Sequence, residues 1–262
     1  MMLDAVIMAG GDPTRDVDLL TYAGGAPNKA LIELGGKTFL ERIVIAMQES
    51  GRVRRIVIVG LAPEHQIDLG ADIVFLPDAG SMYGNGCSGV NYFKSTGGVS
   101  DWVLASSSDV PLLTPQVVSG VIDLGLRYDV DFCYNIVEQS VMERAFPGSG
   151  RTFVPIEGHR YAGGDLNMVR ATVVDTNQAK VNEIIGERKH FWKQVRSIGL
   201  DTLFLFLIRR LTIARIERRI EKVLGFSGKA VICPYAQVAM DVDKPHHLDV
   251  VRAAFASHMQ EA

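Results

Sequence analysis

The chain contains little cysteine, and its few cysteines are far apart. Cys87, Cys133 and Cys233 are the three cysteines among 262 residues, and none stands in a C-x-x-C pair. An odd number of distant cysteines argues against a disulfide framework, and their spacing argues against a structural zinc site. We therefore expect ordinary thiols in a protein of a reducing compartment.

The chain also lacks a net positive charge and a long hydrophobic run. The formal net charge is −3, so no chain-wide positive field favours nucleic acid. The longest late apolar run, residues 203–208, is far too short to span a membrane. Asp4 stands where a signal peptide would need basic residues. These properties favour a cytoplasmic enzyme that acts on small molecules.

The common glycine-rich nucleotide motifs are missing as well. Neither G-x-G-x-x-G nor Gly-Lys-Ser/Thr follows the first apolar run, which excludes a Rossmann fingerprint and a Walker loop there. Instead, that run ends at Gly10-Gly11, with Arg15 and Lys29 close behind. Glycines expose backbone N–H groups and the two cations neutralise charge, so this opening indicates a polyphosphate site. A simple tight turn explains the glycine pair about equally well.

Hydrophobic periodicity predicts alternating strands and helices in the first half of the chain. The expected strands are Ala5–Met8, Arg55–Val59, Ile73–Leu76 and Trp102–Ala105, and the expected helices are Thr38–Ser50, Asn85–Ser95 and Thr114–Leu126. This alternation predicts an α/β fold with a mainly parallel (mixed), Rossmann-like sheet and helices on both faces. In such sheets, ligands bind beyond the carboxyl ends of the strands, where Gly10-Gly11 is expected.

The second half of the chain is expected to be less regular. Extended runs at Phe132–Val137 and Thr152–Ile156 predict antiparallel additions to the sheet. Two later strands, Ala230–Cys233 and Val238–Asp241, are predicted before a final helix that begins at Pro245. His246 and His247 of that helix are expected to face solvent.

Residues 177–226 are predicted to form a helical insertion within a single domain of residues 1–262. Its best helix, Thr212–Leu224, carries isoleucines on one face and arginines on the other. Residues 187–222 hold ten Lys or Arg and four Asp or Glu. This basic surface fits an anionic acceptor, an anionic membrane or a homodimer interface. A solvated outer face on helices that cover the sheet is the favoured interpretation.

Two acidic motifs are predicted to lie at the same edge of the sheet as the glycine pair. Asp109 follows the strand Trp102–Ala105, and Asp243 precedes the final helix. A pair of carboxylates can hold Mg²⁺ when phosphates and water supply the other ligands. A helix cap or a turn residue before Pro111 is the alternative for Asp109, and a helix cap is the alternative for Asp241 and Asp243.

Together these residues resemble the MobA-like NTP transferases, a family related to molybdenum-cofactor guanylyltransferase with a GT-A-type fold. The resemblance rests on Ala9-Gly10-Gly11 with Arg15, on Asn28-Lys29 before Leu34-Gly35-Gly36-Lys37, on Asp109-Val110-Pro111, and on Asp241-Val242-Asp243-Lys244-Pro245. The sequence departs from the family pattern in having Asp16 after Arg15 and a long stretch between Arg15 and Lys29. The helical insertion is foreign to the minimal fold.

The resemblance implies a magnesium-dependent transfer of NMP from an NTP, with CTP or GTP favoured, to a phosphorylated small molecule. It implies metal binding by Asp109 and Asp243, triphosphate binding by Gly10 and Gly11, and catalytic roles for Arg15, Lys29 and Asp109.

The same resemblance implies base contacts at Ser81 and Asn85, although a helix cap explains these two residues equally well. It also implies acceptor contacts at Gly163, Gly164 and Asn167, for which a β-turn is the alternative. A glycosyltransferase that uses a sugar nucleotide and a nucleotide-sensing module are the competing functions.

Overall fold

The computed structural model describes residues 1–11, 13–70, 72–175 and 212–261. In the first half, the strands are β1 (Leu3–Met8), β2 (Glu33–Leu34), β3 (Lys37–Thr38), β4 (Val53–Val59), β5 (Ile73–Leu76) and β6 (Trp102–Ser107). The helices there are α1 (Val17–Tyr22), α2 (Phe39–Glu49), α3 (Met82–Ser95) and α4 (Pro115–Gly125). These elements confirm each strand and helix predicted for this half, to within a few residues at the ends.

The second half adds strands β7 (Phe132–Glu138), β8 (Val154–Ile156), β9 (His159–Gly163), β10 (Leu166–Arg170) and β11 (Gly228–Ile232). Its helices are α5 (Gln139–Ala145), α6 (Ile213–Leu224) and α7 (Pro245–Glu261). Sequence reasoning missed α5, β9 and β10. The two strands mix polar and apolar residues, unlike the continuous apolar run of β5.

The main sheet is mixed, as predicted. Its strand order is β5-β4-β1-β6-β10-β7-β9-β8, and β11 pairs with β7. β1, β4, β5 and β6 pair in parallel, whereas β9 and β10 pair antiparallel with their neighbours. The carboxyl ends of β1 and β6 therefore meet at one edge, which brings the residues after Met8 and after Ser107 together.

Helices bury both faces of this sheet. The larger core packs α2, α4 and α7 against one face, and a second cluster packs α3 against the other face of β1, β4 and β6. The helices begin where the sequence supplies caps: Thr38 forms a capping box with Glu41, and the Thr114 side chain accepts from Val117 N before α4. These local signals explain why α2 and α4 were predictable.

The predicted strand Val238–Asp241 is wrong. Residues Ala236–Ala239 instead form a turn of 3-10 helix, in which Val238 N donates to Tyr235 O. Val238 still touches the sheet, because its carbonyl accepts from Asp165 N at 2.7 Å. Asp241 and Asp243 therefore lie in the loop between this turn and α7 rather than within a strand.

Part of the predicted insertion falls outside the described residues, which resume at Thr212. The described helix α6 begins after Thr212, whose side chain accepts from Arg215 N, and ends at Gly225 with φ 82°. Ile213 and Ile216 pack against a small apolar cluster on β7, β8 and β9. Helix α6 therefore packs on the sheet through these isoleucines. No described helix combines the length and the apolar character that a membrane crossing requires.

Candidate active site

The glycine pair lies in a tightly packed turn at the end of β1. A Cβ on Gly10 would lie 2.6 Å from Nδ2 of Asn85 and 3.0 Å from Oδ1 of Asp78. Gly60 also packs against this turn, because a Cβ on Gly60 would lie 2.5 Å from the Gly10 backbone nitrogen. Gly11 has open space around the same position. The backbone at Gly10 is therefore confined by its neighbours, whereas Gly11 is open toward the cleft.

A cleft of about 560 Å³ extends from this turn to the carboxyl end of β6. It is lined by Gly10, Gly11, Arg15, Asp16, Asn28, Lys29, Asp78, Gly80, Ser81, Asn85, Ser107, Ser108 and Asp109, with apolar contacts from Met8, Leu20 and Met82. The structure thus places the six residues predicted for the phosphates and the base in one cleft, together with Asp109. Backbone N–H groups and two cations on its walls suit an anionic ligand.

Lys29 lies at one end of the cleft and bridges two carboxylates. Its Nζ donates to Oδ2 of Asp109 and to Oδ1 of Asp243, each at 2.8 Å. Burial alone would lower the pKa of Lys29, but the attraction and hydrogen bonds of the two carboxylates raise it well above its usual range. Lys29 is therefore held as an ammonium ion.

A short turn positions Lys29. Asn28 caps this turn through Oδ1, which accepts from Ala30 N at 2.8 Å, while its Nδ2 donates to Ala9 O at 3.1 Å. The Asn28 side chain therefore ties the lysine turn to the end of β1. The asparagine before the lysine thus has a structural role that its position in the sequence did not reveal.

The structure brings Asp109 and Asp243 together from distant parts of the chain. Ser107 donates through its hydroxyl to Oδ1 of Asp109 at 2.6 Å, and Val242 N donates to the Asp109 carbonyl at 3.0 Å. Asp109 does not cap α4, since Thr114 does. Burial alone would raise the pKa of Asp243. Hydrogen bonds from Asp241 and Lys29 have the larger, opposite effect and lower the pKa to about 2. Asp243 is therefore ionised at neutral pH.

The two residues predicted for base contact have partners within the protein. The Ser81 hydroxyl accepts from Gly84 N at 2.9 Å and so caps α3, which explains why this helix begins before Asn85. Asn85 is 3% exposed, and its Oδ1 accepts from Ala79 N at 2.7 Å. Asn85 thus fixes the loop after β5 against the Gly10 turn. Asp78, which the sequence analysis did not select, exposes a carboxylate in the same cleft.

The predicted acceptor segment forms an irregular joint between β9 and β10. Gly164 N donates to Asn135 O at 2.8 Å, and Asn167 uses both side-chain atoms, accepting from Asn135 N and donating to Gly164 O. A Cβ on Gly163 would lie 2.2 Å from the hydroxyl oxygen of Tyr134. Asn167 therefore shapes the joint. Because the pairing with β7 is interrupted between β9 and β10, Asp165 lies near the carboxylates of Asp109, Asp241 and Asp243.

A comparison with protein families identifies the family of this chain. The MobA-like NTP transferase domain model matches residues 5–157, more than half of the chain. The chain belongs to the MobA-like NTP transferase family. A solved hypothetical transferase from Thermus thermophilus superposes on this MobA-like transferase with a TM-score of 0.80 and 27% identity, covering 95% of this chain and 100% of that one.

Two further solved structures share the fold of this MobA-like transferase at lower identity. CMP:2-keto-3-deoxy-manno-octonic acid synthetase, complexed with CTP, has a TM-score of 0.61 at 14% identity, with 98% of this chain and 100% of that chain covered. The 2-C-methyl-D-erythritol 4-phosphate cytidylyltransferase from Thermus thermophilus has a TM-score of 0.56 at 14% identity over 98% of this chain and 100% of that one. No curated protein matches by sequence. The family identifies this chain as a nucleotidyltransferase.

Sequence reasoning missed several charged residues of the MobA-like site. Arg151 donates through Nη1 to Oδ2 of Asp241 at 2.8 Å, its Nη2 contacts Oδ1 of the same carboxylate, and Nη1 lies 3.9 Å from Asp243 Oδ2. Burial, together with the charge of the neighbouring carboxylates, raises the pKa of both Asp165 and Asp241. This buried pair therefore retains a proton more readily than an exposed pair.

His247 also departs from the prediction that it faces solvent. It is 3% exposed, and its Nδ1 accepts from the backbone N–H of Asp243 at 3.2 Å. Burial and the positive charge of Arg151 lower its pKa to about 4, so the ring is neutral at physiological pH. His246 is exposed, as predicted. The neutral ring of His247 helps to fix the backbone that presents Asp243.

Proposed function

We propose that this nucleotidyltransferase transfers NMP from CTP or GTP to a phosphorylated small molecule and releases pyrophosphate. The observation that carries the proposal is the convergence of Asp109 and Asp243 on one ammonium group, at 2.8 Å each, at the end of the glycine-lined cleft. Such a convergence of two carboxylates beside an anion-binding turn suits a metal-bound nucleoside triphosphate.

The carboxylates fit a divalent cation of the hard, oxygen-seeking type. Asp109 and Asp243 already share one cationic partner, so their oxygens face a common point. Among the described residues, no three His, Cys, Asp or Glu side chains form a metal site of their own. Phosphate oxygens and water would have to complete the ligand shell, which is the usual situation for Mg²⁺. When bound there, Mg²⁺ would offset the negative charge of the phosphates.

The chain's own residues supply binding and orientation. We assign the triphosphate to the backbone at Gly10 and Gly11 and to Arg15 and Lys29, whose positive charges would stabilise negative charge on the leaving pyrophosphate. The acceptor phosphate, already ionised, attacks the α-phosphorus as the bond to pyrophosphate breaks. No general base is needed for an ionised nucleophile, so catalysis is positioning and electrostatics.

The base and the acceptor have separate candidate residues. We place the base beside Ser81 and Asn85, with Asp78 as a third candidate. All three residues line the cleft, and Asn85 and Asp78 lie next to Gly10. The joint at Gly163, Gly164 and Asn167 is proposed to face the acceptor. We also propose a cytoplasmic location and a homodimer that forms through residues 177–226.

The first test measures thermal stabilisation by ATP, GTP, CTP and UTP, with and without Mg²⁺. A ligand that binds only the native state raises apparent stability, so the donor nucleotide is expected to raise Tm in a Mg²⁺-dependent manner. Asp109→Asn should lose this shift. Pyrophosphate release in the presence of a phosphorylated acceptor then separates an enzyme from a nucleotide sensor.

Two results would contradict the proposal. A Tm shift with sugar nucleotides and none with triphosphates would favour a glycosyltransferase. Nucleotide binding without pyrophosphate release across a panel of phosphorylated acceptors would favour a sensor.

A further inference from the structure

Lys29 lines the cleft, and its ammonium group also lies between the carboxylates of Asp109 and Asp243. Its Nζ lies 2.8 Å from Oδ2 of Asp109 and 2.8 Å from Oδ1 of Asp243. A magnesium ion bridging the same two oxygens would need them at about 2.1 Å. The ion would therefore fill the volume that the ammonium group now occupies, so both cations cannot bind there together.

The contacts of Lys29 explain why an ammonium ion occupies this position. The Lys29 and Asp109 side chains are 20% and 13% exposed, so water screens the charges of this pair only partly, whereas the Asp243 side chain is 49% exposed. Two adjacent carboxylates in such a setting repel each other unless a cation lies between them. The Asn28 cap holds the lysine turn next to β1 and so delivers this cation in the absence of metal.

We propose that Lys29 is the resident counter-ion of the Asp109–Asp243 pair and competes with the divalent cation for it. Entry of the metal releases the ammonium group, which then pairs with the nucleotide phosphates. This inference rests on the proposed function, because it takes Asp109 and Asp243 as the metal ligands.

The proposal predicts a coupling between metal and nucleotide. In the free protein, the metal has to displace Lys29, which weakens metal binding. Phosphates that accept the released ammonium group remove this competition, so each ligand strengthens the binding of the other. The lysine would thereby link metal binding to the presence of the nucleotide.

The test measures the binding of Mn²⁺ alone, without nucleotide, by electron paramagnetic resonance titration of the full chain. Lys29→Met keeps the length of the side chain and removes the competing charge. It is expected to bind Mn²⁺ more tightly than the wild type by roughly 5- to 150-fold, the usual range of coupling between sites. The matched control Lys37→Met, at an exposed lysine of β3, should bind Mn²⁺ as the wild type does.

Asp109→Asn distinguishes a failure of the competition proposal from a failure of the metal assignment. If Asp109→Asn weakens Mn²⁺ binding while folded Lys29→Met binds it no more tightly than the wild type, the competition proposal is overturned and the metal assignment stands. If Asp109→Asn binds Mn²⁺ as the wild type does, the metal assignment itself fails, and the competition fails with it.

A second measurement needs no variant at the competing position. In wild-type protein labelled with ¹³C at the lysine Cε, Mg²⁺ alone should shift the Lys29 signal and leave the Lys37 signal in place. A Lys29 signal that stays fixed while Mg²⁺ saturates the protein would overturn the proposal, even if Lys29→Met did not fold.

Discussion

The backbone N–H of Val242 donates to the carbonyl oxygen of Asp109 at 3.0 Å, although the two residues are far apart in the sequence. This bond joins the loop after β6 to the loop before α7. Asp243 therefore faces Asp109, and the geometry of the pair is set by the backbone rather than by the flexible side chains alone. A site held in this way is organised before its ligands arrive.

Removing either charge of the pair should remove activity without unfolding the protein. Asp109→Asn and Asp243→Asn each keep the size of the side chain but weaken the attraction for a divalent cation. We expect each to lower the rate of NMP transfer by at least about 100-fold, as loss of one electrostatic group in a preorganised site does. Steady-state pyrophosphate release measures this effect. Asp129→Asn, at a fully exposed carboxylate, is the control; near-wild-type rates in both site variants would rule out the assignment.

The two glycines of the first turn should respond differently to alanine. In Gly10→Ala the new methyl group would meet Asn85 Nδ2 at 2.6 Å, and Asn85 is buried and hydrogen-bonded to Ala79 N, so it has little room to move. The loop after β5, which Asn85 holds in place, must then shift, and nucleotide affinity should fall. Gly11→Ala meets no protein atom, so it should leave that loop in place and lose less nucleotide affinity than Gly10→Ala.

Isothermal titration with the donor nucleotide compares these two variants directly. Both substitutions remove a glycine from the same turn, so the comparison isolates the close packing at Gly10. Equal losses of affinity in both variants would contradict the packing argument and would point to backbone freedom as the common requirement.

Much of the fold follows from local signals in the sequence. Thr38 and Thr114 cap helices that were predicted, Pro245 begins α7, and Gly225 ends α6 in the left-handed conformation. Each of these signals acts within one turn of its helix, so it can be recognised from neighbouring residues. The apolar runs of β1, β4, β5 and β6 were equally clear, because buried parallel strands are hydrophobic throughout.

The candidate site was only partly predictable, because its missing members depend on long-range contacts. Arg151 lies in an irregular loop after α5, and nothing near it in sequence indicates that it pairs with Asp241. Asp165 lies between β9 and β10, where the pairing of this segment with β7 is interrupted. Asp241 did carry a signal, since it stands two positions before Asp243, but the same pattern fits an ordinary helix cap.

Arg151 should act as a positioning residue for the closing carboxylates. Arg151→Met leaves Asp241 buried without its charged partner, so the backbone that presents Asp243 is less well fixed. Loss of such a supporting contact usually reduces metal affinity or activity by roughly 10- to 100-fold. The expected result is a higher Mg²⁺ concentration for half-maximal rate, partly restored in Arg151→Lys. A purely structural role would instead lower Tm without changing the Mg²⁺ dependence, and exposed Arg127→Met is the control.

Asp4 provides a test of stability that is separate from the site. Its side chain is fully buried at the start of β1 and accepts hydrogen bonds from Arg54, Arg55 and Ser100 N. Burial alone would raise the pKa of Asp4. The hydrogen bonds from Arg55, Arg54 and Ser100 together have the larger, opposite effect and lower the pKa to about 2. The ionised carboxylate therefore stabilises the native state more than the unfolded chain.

Asp4→Asn is expected to lower the free energy of unfolding by about 3 kcal/mol, the typical cost of breaking a buried ion pair. Because the folded pKa lies below the ordinary value of 3.8, the contribution of Asp4 is complete above that value and is lost as the pH falls toward about 2. Urea unfolding as a function of pH measures both effects. The control Asp123→Asn removes an exposed partner of Arg52 and should cost less than about 1 kcal/mol. If Asp4→Asn were no more destabilising than this control at neutral pH, the buried ion pair would not be what secures the amino-terminal end of β1.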